Sequence, residues 1–154
     1  MALADLLQQD AIIPALKVNS KKQLLQELAA KASKLAGVPE REIFDVILQR
    51  ERLGSTGVGH GVAIPHGKLN SISTIKGVFA RLENPVDFEA LDDEPVDLVF
   101  LLLAPEGAGA DHLKALSRIA RVLRDQDLVH KLRQTDSASA IYAFLNEEHA
   151  SNAA

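Results

Sequence analysis

Val96-Asp97-Leu98-Val99-Phe100-Leu101-Leu102-Leu103 is the stretch that decides the fold class. A strand with one solvated face alternates apolar and polar residues. This run does not alternate, so it reads as a strand buried on both faces, extending to Ala104. Such a strand needs covering layers on either side, and the flanking sequence supplies them. Ile75–Leu82 is a second strand. Downstream, Asp111 is an expected N-cap for a helix with core stripe Leu113, Leu116, Ala120 and Leu123, and shorter helices follow at Asp127–Arg133 and Ser139–Leu145. Upstream, a turn or two around Leu3, Leu6 and Leu7 reads as helical. Ser20 and Gln23 have capping-box spacing ahead of Leu24, Leu25, Leu28, Ala29, Ala32, Leu35 and Ala36, with Gly37 as the stop. Pro39 suits the first position of a second helix whose buried stripe is Ile43, Phe44, Ile47 and Leu48, ending at Gly54. Helices at both ends with strands between describe one layered α/β domain.

Composition agrees with that and excludes several function classes. The 154 residues are 47% hydrophobic and 25% charged, enough for a sizeable core in a single domain. A net charge of −4 gives no support to nucleic-acid binding, and 4% aromatics leave too few rings for a base-stacking platform. No run of 18 apolar residues is present, so no membrane insertion is expected, and the first residues lack the basic region of a cleaved signal peptide. Cysteine is absent, which removes disulfides, thiol nucleophiles and thiolate metal sites and is compatible with a cytoplasmic location.

The most informative candidate for chemistry is Gly61-Val62-Ala63-Ile64-Pro65-His66-Gly67. A short strand Val62–Ile64 leads to Pro65, which favours extended geometry in Ile64. Gly67 leaves little bulk beside the following backbone. His66 is therefore expected at a strand exit with open access to its imidazole, as a nucleophile requires. Immediately upstream, Gly54-Ser55-Thr56-Gly57-Val58-Gly59-His60-Gly61 reads as a loop. It is either a mobile surface connection or a cradle of backbone N–H groups for an anion, with hydroxyls from Ser55 and Thr56.

The standard phosphate motifs fail on spacing. Between Gly61 and Gly67-Lys68 lie five residues where a P-loop has four, and Leu69 stands where Ser or Thr is required. Gly57, Gly59 and Gly61 run Gly-x-Gly-x-Gly, which is not the dinucleotide fingerprint. No local ligand pair has zinc-like spacing, so neither a metal nor another cofactor is expected. His112 has two readings: a surface residue in the first turn of a helix, or a neutral imidazole held where a helix N-terminus favours a bound phosphate. Arg50 and Arg52, near the end of the second helix, are either solvated or available to neutralise a phosphoryl group, with Glu51 placed to orient one of them. Charge is unevenly distributed: Glu83 to Asp111 holds nine acids and no Lys or Arg, whereas Lys114 to Arg133 holds six bases against two acids. Such blocks are solvated faces or steering surfaces for a charged partner. His60, His130 and His149 carry no assigned role from pattern alone.

The string from Arg50 through Lys68, with Ala63-Ile64-Pro65-His66-Gly67 as its most specific part, resembles the active-site region of the IIA components of the bacterial sugar phosphotransferase system, mannitol/fructose class. The resemblance extends to Pro95–Val99 and to Asp111-His112-Leu113-x-x-Leu116-Ser117. It implies a single domain over residues 1–147, a mixed β-sheet flanked by helices on both faces, with 148–154 as a flexible tail. It also implies that His66 is the phosphoryl acceptor, that His112 is its neighbour in the site and that Arg50 is the matching arginine. Arg50, His112 and amides around Ser55, Thr56, Gly57, Gly59 and Gly67 would hold the phosphoryl oxygens. The implied donor is an HPr-like phosphocarrier protein. The implied recipients are regulatory targets such as a kinase or ion transporter, in nitrogen or potassium metabolism, or else a separate IIB domain in sugar transport. A non-catalytic anion-binding scaffold is the remaining alternative. His60 departs from the family pattern, where a polar residue such as Asn is expected, and adds a possible third imidazole near the site.

Overall fold

The computed structural model describes residues 3–153, with side chains through residue 147. Six helices flank one six-stranded mixed sheet: α1 (Leu3–Leu6), β1 (Ile12–Leu16), α2 (Lys21–Ala36), α3 (Glu40–Arg52), β2 (Gly57–Gly59), β3 (Val62–Ala63), β4 (His66–Leu69), β5 (Lys76–Val86), β6 (Val96–Pro105), α4 (Ala110–Val122), α5 (Gln126–Arg133) and α6 (Ala138–Ala153). The strand order is β1-β5-β6-β3-β2, with β4 also paired to β6. β5 runs antiparallel to β6, β1 parallel to β5, β3 and β4 parallel to β6, and β2 antiparallel to β3.

The run that announced the fold is the inner strand β6, and its side chains divide between two cores. Val99, Leu101 and Leu103 join Ala63, Val78 and Ala80 beneath α2 and α3. Leu98, Phe100 and Leu102 join Val62, Ile64 and Phe79 beneath the helices α1, α4, α5 and α6. Alternate residues of a strand point to opposite faces, so a strand with a core on each side must be apolar at nearly every position.

Local signals hold for most elements. Ser20 Oγ accepts from the Gln23 amide at 3.1 Å, and Gln23 Oε1 accepts from the Asn19 amide at 2.7 Å. Gly37 closes α2 at φ +69°, a conformation glycine adopts without a Cβ penalty. Pro39 caps α3 instead of opening it. Asp125 caps α5, accepting from Asp127 and Leu128.

Four differences from the sequence reading matter. Ile12–Leu16 forms an edge strand that was not expected; Pro14 is tolerated there because an edge leaves one side of the ladder unpaired. Part of the expected glycine loop is strand β2. The helix α4 begins at Ala110 with Gly109 as its cap, so Asp111 lies inside the first turn. Its buried stripe is His112, Ala115, Ile119 and Val122, one residue out of phase with the expected stripe, and Leu113 is 67% exposed. The helical backbone of α6 also continues past Leu145 to Ala153.

Candidate functional site

The strand reading of Val62–Ile64 with His66 at its exit becomes two short strands on one edge of β6. Val62 and Ala63 pair with Leu98 and Val99, the ladder breaks at Ile64-Pro65, and His66 resumes it opposite Leu102. Pro65 has no N–H to give, but its carbonyl still accepts from the Leu102 amide at 3.0 Å, so the chain keeps its course through the break. His66 thus opens β4. Its register opposite Leu102 puts it on the α4 side of the sheet, while Gly67, opposite Leu103, faces α3. A Cβ on Gly67 would lie 2.4 Å from Val46 Cγ1. The missing side chain is what lets α3 approach β4 and bring its C-terminal turn beside His66.

Both ring nitrogens of half-buried His66 are engaged. Nδ1 lies 3.0 Å from the Ile64 carbonyl oxygen, and Arg50 Nε lies 3.2 Å from Nε2. A carbonyl only accepts and a guanidinium only donates. The ring is therefore the neutral Nδ1–H tautomer, with the lone pair on Nε2 facing the arginine. Arg50 also donates from Nη1 to the Gly54 carbonyl at 3.0 Å. It meets no carboxylate within ion-pair distance among the described residues, so its charge is uncompensated.

His112, in the first turn of α4, places its ring centroid 5.5 Å from that of His66 at an interplanar angle of 57°. It is buried, and its Nδ1 meets no hydrogen-bond partner among the described residues. Burial first, and then the nearby Lys68 charge, push its pKa below the usual 6.5, which favours the neutral ring. The three groups border one open cavity of about 660 Å³, shared with Arg52, Leu53 and Gly67.

Lys68 also borders this cavity, and the sequence reading passed over it. In a strand, residues i and i+2 share a face. Once His66 lies inside a strand, Lys68 becomes its neighbour, but a histidine placed at a strand exit gives no reason to look there. Together the cavity is bordered by an imidazole nitrogen with a lone pair, the three cations Arg50, Arg52 and Lys68, and a histidine from the first turn of α4, a set of groups suited to an anion.

The remaining candidates lie elsewhere. Ser55 Oγ donates to the Phe88 carbonyl and accepts from the Gly57 amide, each at 3.1 Å. Thr56 is buried against Glu51, which accepts from both its amide and its hydroxyl. A Cβ on Gly57 would lie 2.7 Å from Ala90 Cβ, and one on Gly59 3.4 Å from Asp92 Oδ2. Ser55, Gly57 and Gly59 thus pack toward residues 87–92 and Thr56 toward Glu51, and none of the four lines the His66 cavity; of the five expected oxygen-holding positions only Gly67 does. Glu51 turns to Thr56 and Lys21 and orients neither Arg50 nor Arg52 directly. His60 lies in a separate depression with Asp92, Asp97 and Arg133 and adds no third imidazole to the His66 cavity. Among the described residues, no cluster of His, Asp or Glu is arranged to hold a metal ion.

With this geometry in place, comparison with known proteins settles the lineage. Residues 5–148 match the family described as the phosphoenolpyruvate-dependent sugar phosphotransferase system, EIIA 2. The chain belongs to that family. It is 67% identical over 145 residues to a Bradyrhizobium diazoefficiens protein named nitrogen regulatory protein, covering 94% of this chain and 95% of the relative. An Escherichia coli protein of the same name is 38% identical over 149 residues, covering 96% and 91%. The crystal structure of nitrogen regulatory protein IIA-Ntr from Neisseria meningitidis superposes with a TM-score of 0.88 at 36% identity, covering 93% of this chain and 98% of that one. The α/β fold with its mixed sheet is the fold of that relative. Among the described residues no helix is long and apolar enough to cross a membrane.

Proposed function

We propose that this EIIA-family chain is a phosphocarrier that takes a phosphoryl group onto Nε2 of His66 from the phosphohistidine of an HPr-like carrier. One observation carries the choice of atom: Nδ1 is committed to the Ile64 carbonyl, which leaves the Nε2 lone pair as the nucleophile. In the transfer, the Nε2–P bond forms as the P–N bond of the donor breaks, and the bonding pair leaves with the donor imidazole. Nδ1 keeps its proton throughout. Phosphoryl transfer of this kind asks the protein mainly for position and charge stabilisation. Arg50 releases Nε2 and pairs with the incoming oxygens, and neutral His112 donates one hydrogen bond to them. Lys68 adds positive charge.

The biological reading we favour is regulation, in which the phosphorylation state of His66 gates binding to target proteins such as a kinase or an ion transporter in nitrogen or potassium metabolism. Its support is the name shared by relatives that match nearly the full chain. A phosphoryl group adds roughly −1.5 to −2 charge, enough to offset much of the positive charge that borders the cavity. The alternative, delivery to a separate IIB domain for sugar uptake, draws on the family description itself. Incubation with phosphoenolpyruvate, enzyme I and an HPr-type carrier tests the chemistry: acid-labile phosphate on the wild type and none on His66→Gln is expected. Label retained by His66→Gln overturns the assignment. Rapid discharge of the labelled protein by an isolated IIB domain would favour the transport reading.

A further inference from the structure

Among the described residues Glu51 is the one buried carboxylate, its side chain 2% exposed. Lys21 Nζ lies 3.1 Å from it, and Thr56 donates to it twice, from the amide at 3.1 Å and from the hydroxyl. A buried carboxylate is costly unless every oxygen is satisfied, so a fully satisfied one marks a point where geometry is strongly enforced. What it enforces can be followed bond by bond. The Thr56 carbonyl accepts the Ile64 amide at 3.0 Å, and the Ile64 carbonyl is the acceptor of His66 Nδ1–H. Glu51 also stands next to Arg50 in the last turn of α3, and the Gly54 carbonyl, which anchors Arg50, lies two residues before Thr56. Both nitrogens of the His66 ring therefore trace back to one pair: Nδ1 through Ile64, and Nε2 through Arg50.

We propose that Glu51 and Thr56 form a positioning clamp that sets the tautomer of His66 and the placement of Arg50 against it. Neither residue lines the cavity, so neither is expected to touch the phosphoryl group. The inference rests on the phosphoryl-acceptor reading only for its kinetic consequence; the tautomer claim stands by itself. Two substitutions separate the parts. Thr56→Val keeps the shape and removes the hydroxyl; Glu51→Gln keeps the shape and removes the charge. Misplacement of a reacting group by an ångström costs on the order of 100-fold in rate. Each variant is accordingly expected to lose about 10- to 100-fold in kcat for phosphoryl uptake from phosphorylated HPr-type carrier, with KM within about twofold. Thr56→Ser, which restores the hydroxyl, should recover most of the rate. The double variant should be no slower than the worse single one, because the two act as a unit.

The independent readout is nitrogen NMR of the His66 ring, which needs no phosphoryl donor. The Nδ1–H tautomer should dominate in the wild type and in Thr56→Ser, and give way to a tautomer mixture in Thr56→Val and Glu51→Gln. Folding is verified in each case by the amide spectrum. Should Glu51→Gln fail to fold, the Thr56 pair still decides the question. A folded Thr56→Val protein with an unchanged His66 tautomer and unchanged kcat would overturn the clamp. If instead the wild type itself takes up no phosphoryl group while the tautomer shifts as expected, the phosphocarrier reading falls and the clamp survives.

Discussion

Two arginines in this molecule do opposite work. Arg133 closes on Asp97, with its Nε 2.9 Å and 3.1 Å from the two carboxylate oxygens and Nη2 2.9 Å from one of them, and spends its remaining reach on the His60 carbonyl at 2.7 Å. Its charge is cancelled and its donors point at fixed oxygens. The contact holds the β2–β3 turn, where His60 has φ +56° and a Cβ on Gly61 would lie 2.3 Å from Arg133 Nη2. Arg50 has no carboxylate among the described residues, donates to a neutral nitrogen and one carbonyl, and faces an open cavity. The difference teaches that a cation whose bonds are already filled is a structural fastener. One held in place with its charge uncompensated is available to an anion.

Experiments can break or sharpen that contrast. The largest effect is expected at the proposed acceptor: His66→Gln should abolish acid-labile phosphorylation while the thermal midpoint stays near that of the wild type. Arg50→Ala comes next, with a loss of about 10²- to 10³-fold in the rate of phosphoryl uptake, the range seen when one charge-stabilising donor is removed. Stopped-flow or quench assays with phosphorylated carrier measure it, and a loss under threefold would remove Arg50 from the mechanism. Arg133→Ala should reverse the pattern. It should cost about 2 kcal/mol in denaturant unfolding, from a partly exposed pair plus an abandoned carbonyl, and leave the uptake rate within about twofold. A strong rate effect with no stability change would show that the two arginines are not divided as described.

The smallest effect concerns His112. Its folded-state pKa is depressed, mainly by burial, so below the usual 6.5 the unfolded chain takes up a proton that the native ring still refuses. Stability from this group is present above pH 6.5 and is lost as pH falls through its folded pKa. Urea midpoints for the wild type and His112→Gln should therefore differ more at pH 8 than at pH 5, in favour of the wild type at pH 8. An equal gap at both values would mean that burial does not hold the ring neutral.

Much of the architecture was legible because it rests on local rules. The non-alternating β6, the cap at Ser20, the glycine at position 37 and the accessible histidine after Pro65 each follow from neighbours within a few residues. Errors arose where a distant element decided. Leu113 and His112 exchanged places because the face of a helix depends on what it packs against, and a one-residue phase shift leaves the apolar pattern almost unchanged. The glycine run stayed open between a mobile connection and an anion cradle because spacing cannot reveal that its hydroxyls and close approaches are already taken by Glu51, Phe88 and Ala90. Lys68 went unseen because the ladder resumes beyond a proline, something only pairing with β6 shows.

The amino-acid sequence by itself determined the α/β class, the doubly buried strand and a histidine straight after a proline and before a glycine, since these depend on residue type and short-range periodicity. Tertiary structure alone decided which nitrogen of that histidine faces a carbonyl, which arginine faces the other and which carboxylate is buried beside that arginine. Those outcomes depend on hydrogen bonds between segments that are remote along the chain or turned back on themselves, and no local pattern encodes the ångström-scale distances on which such bonds depend.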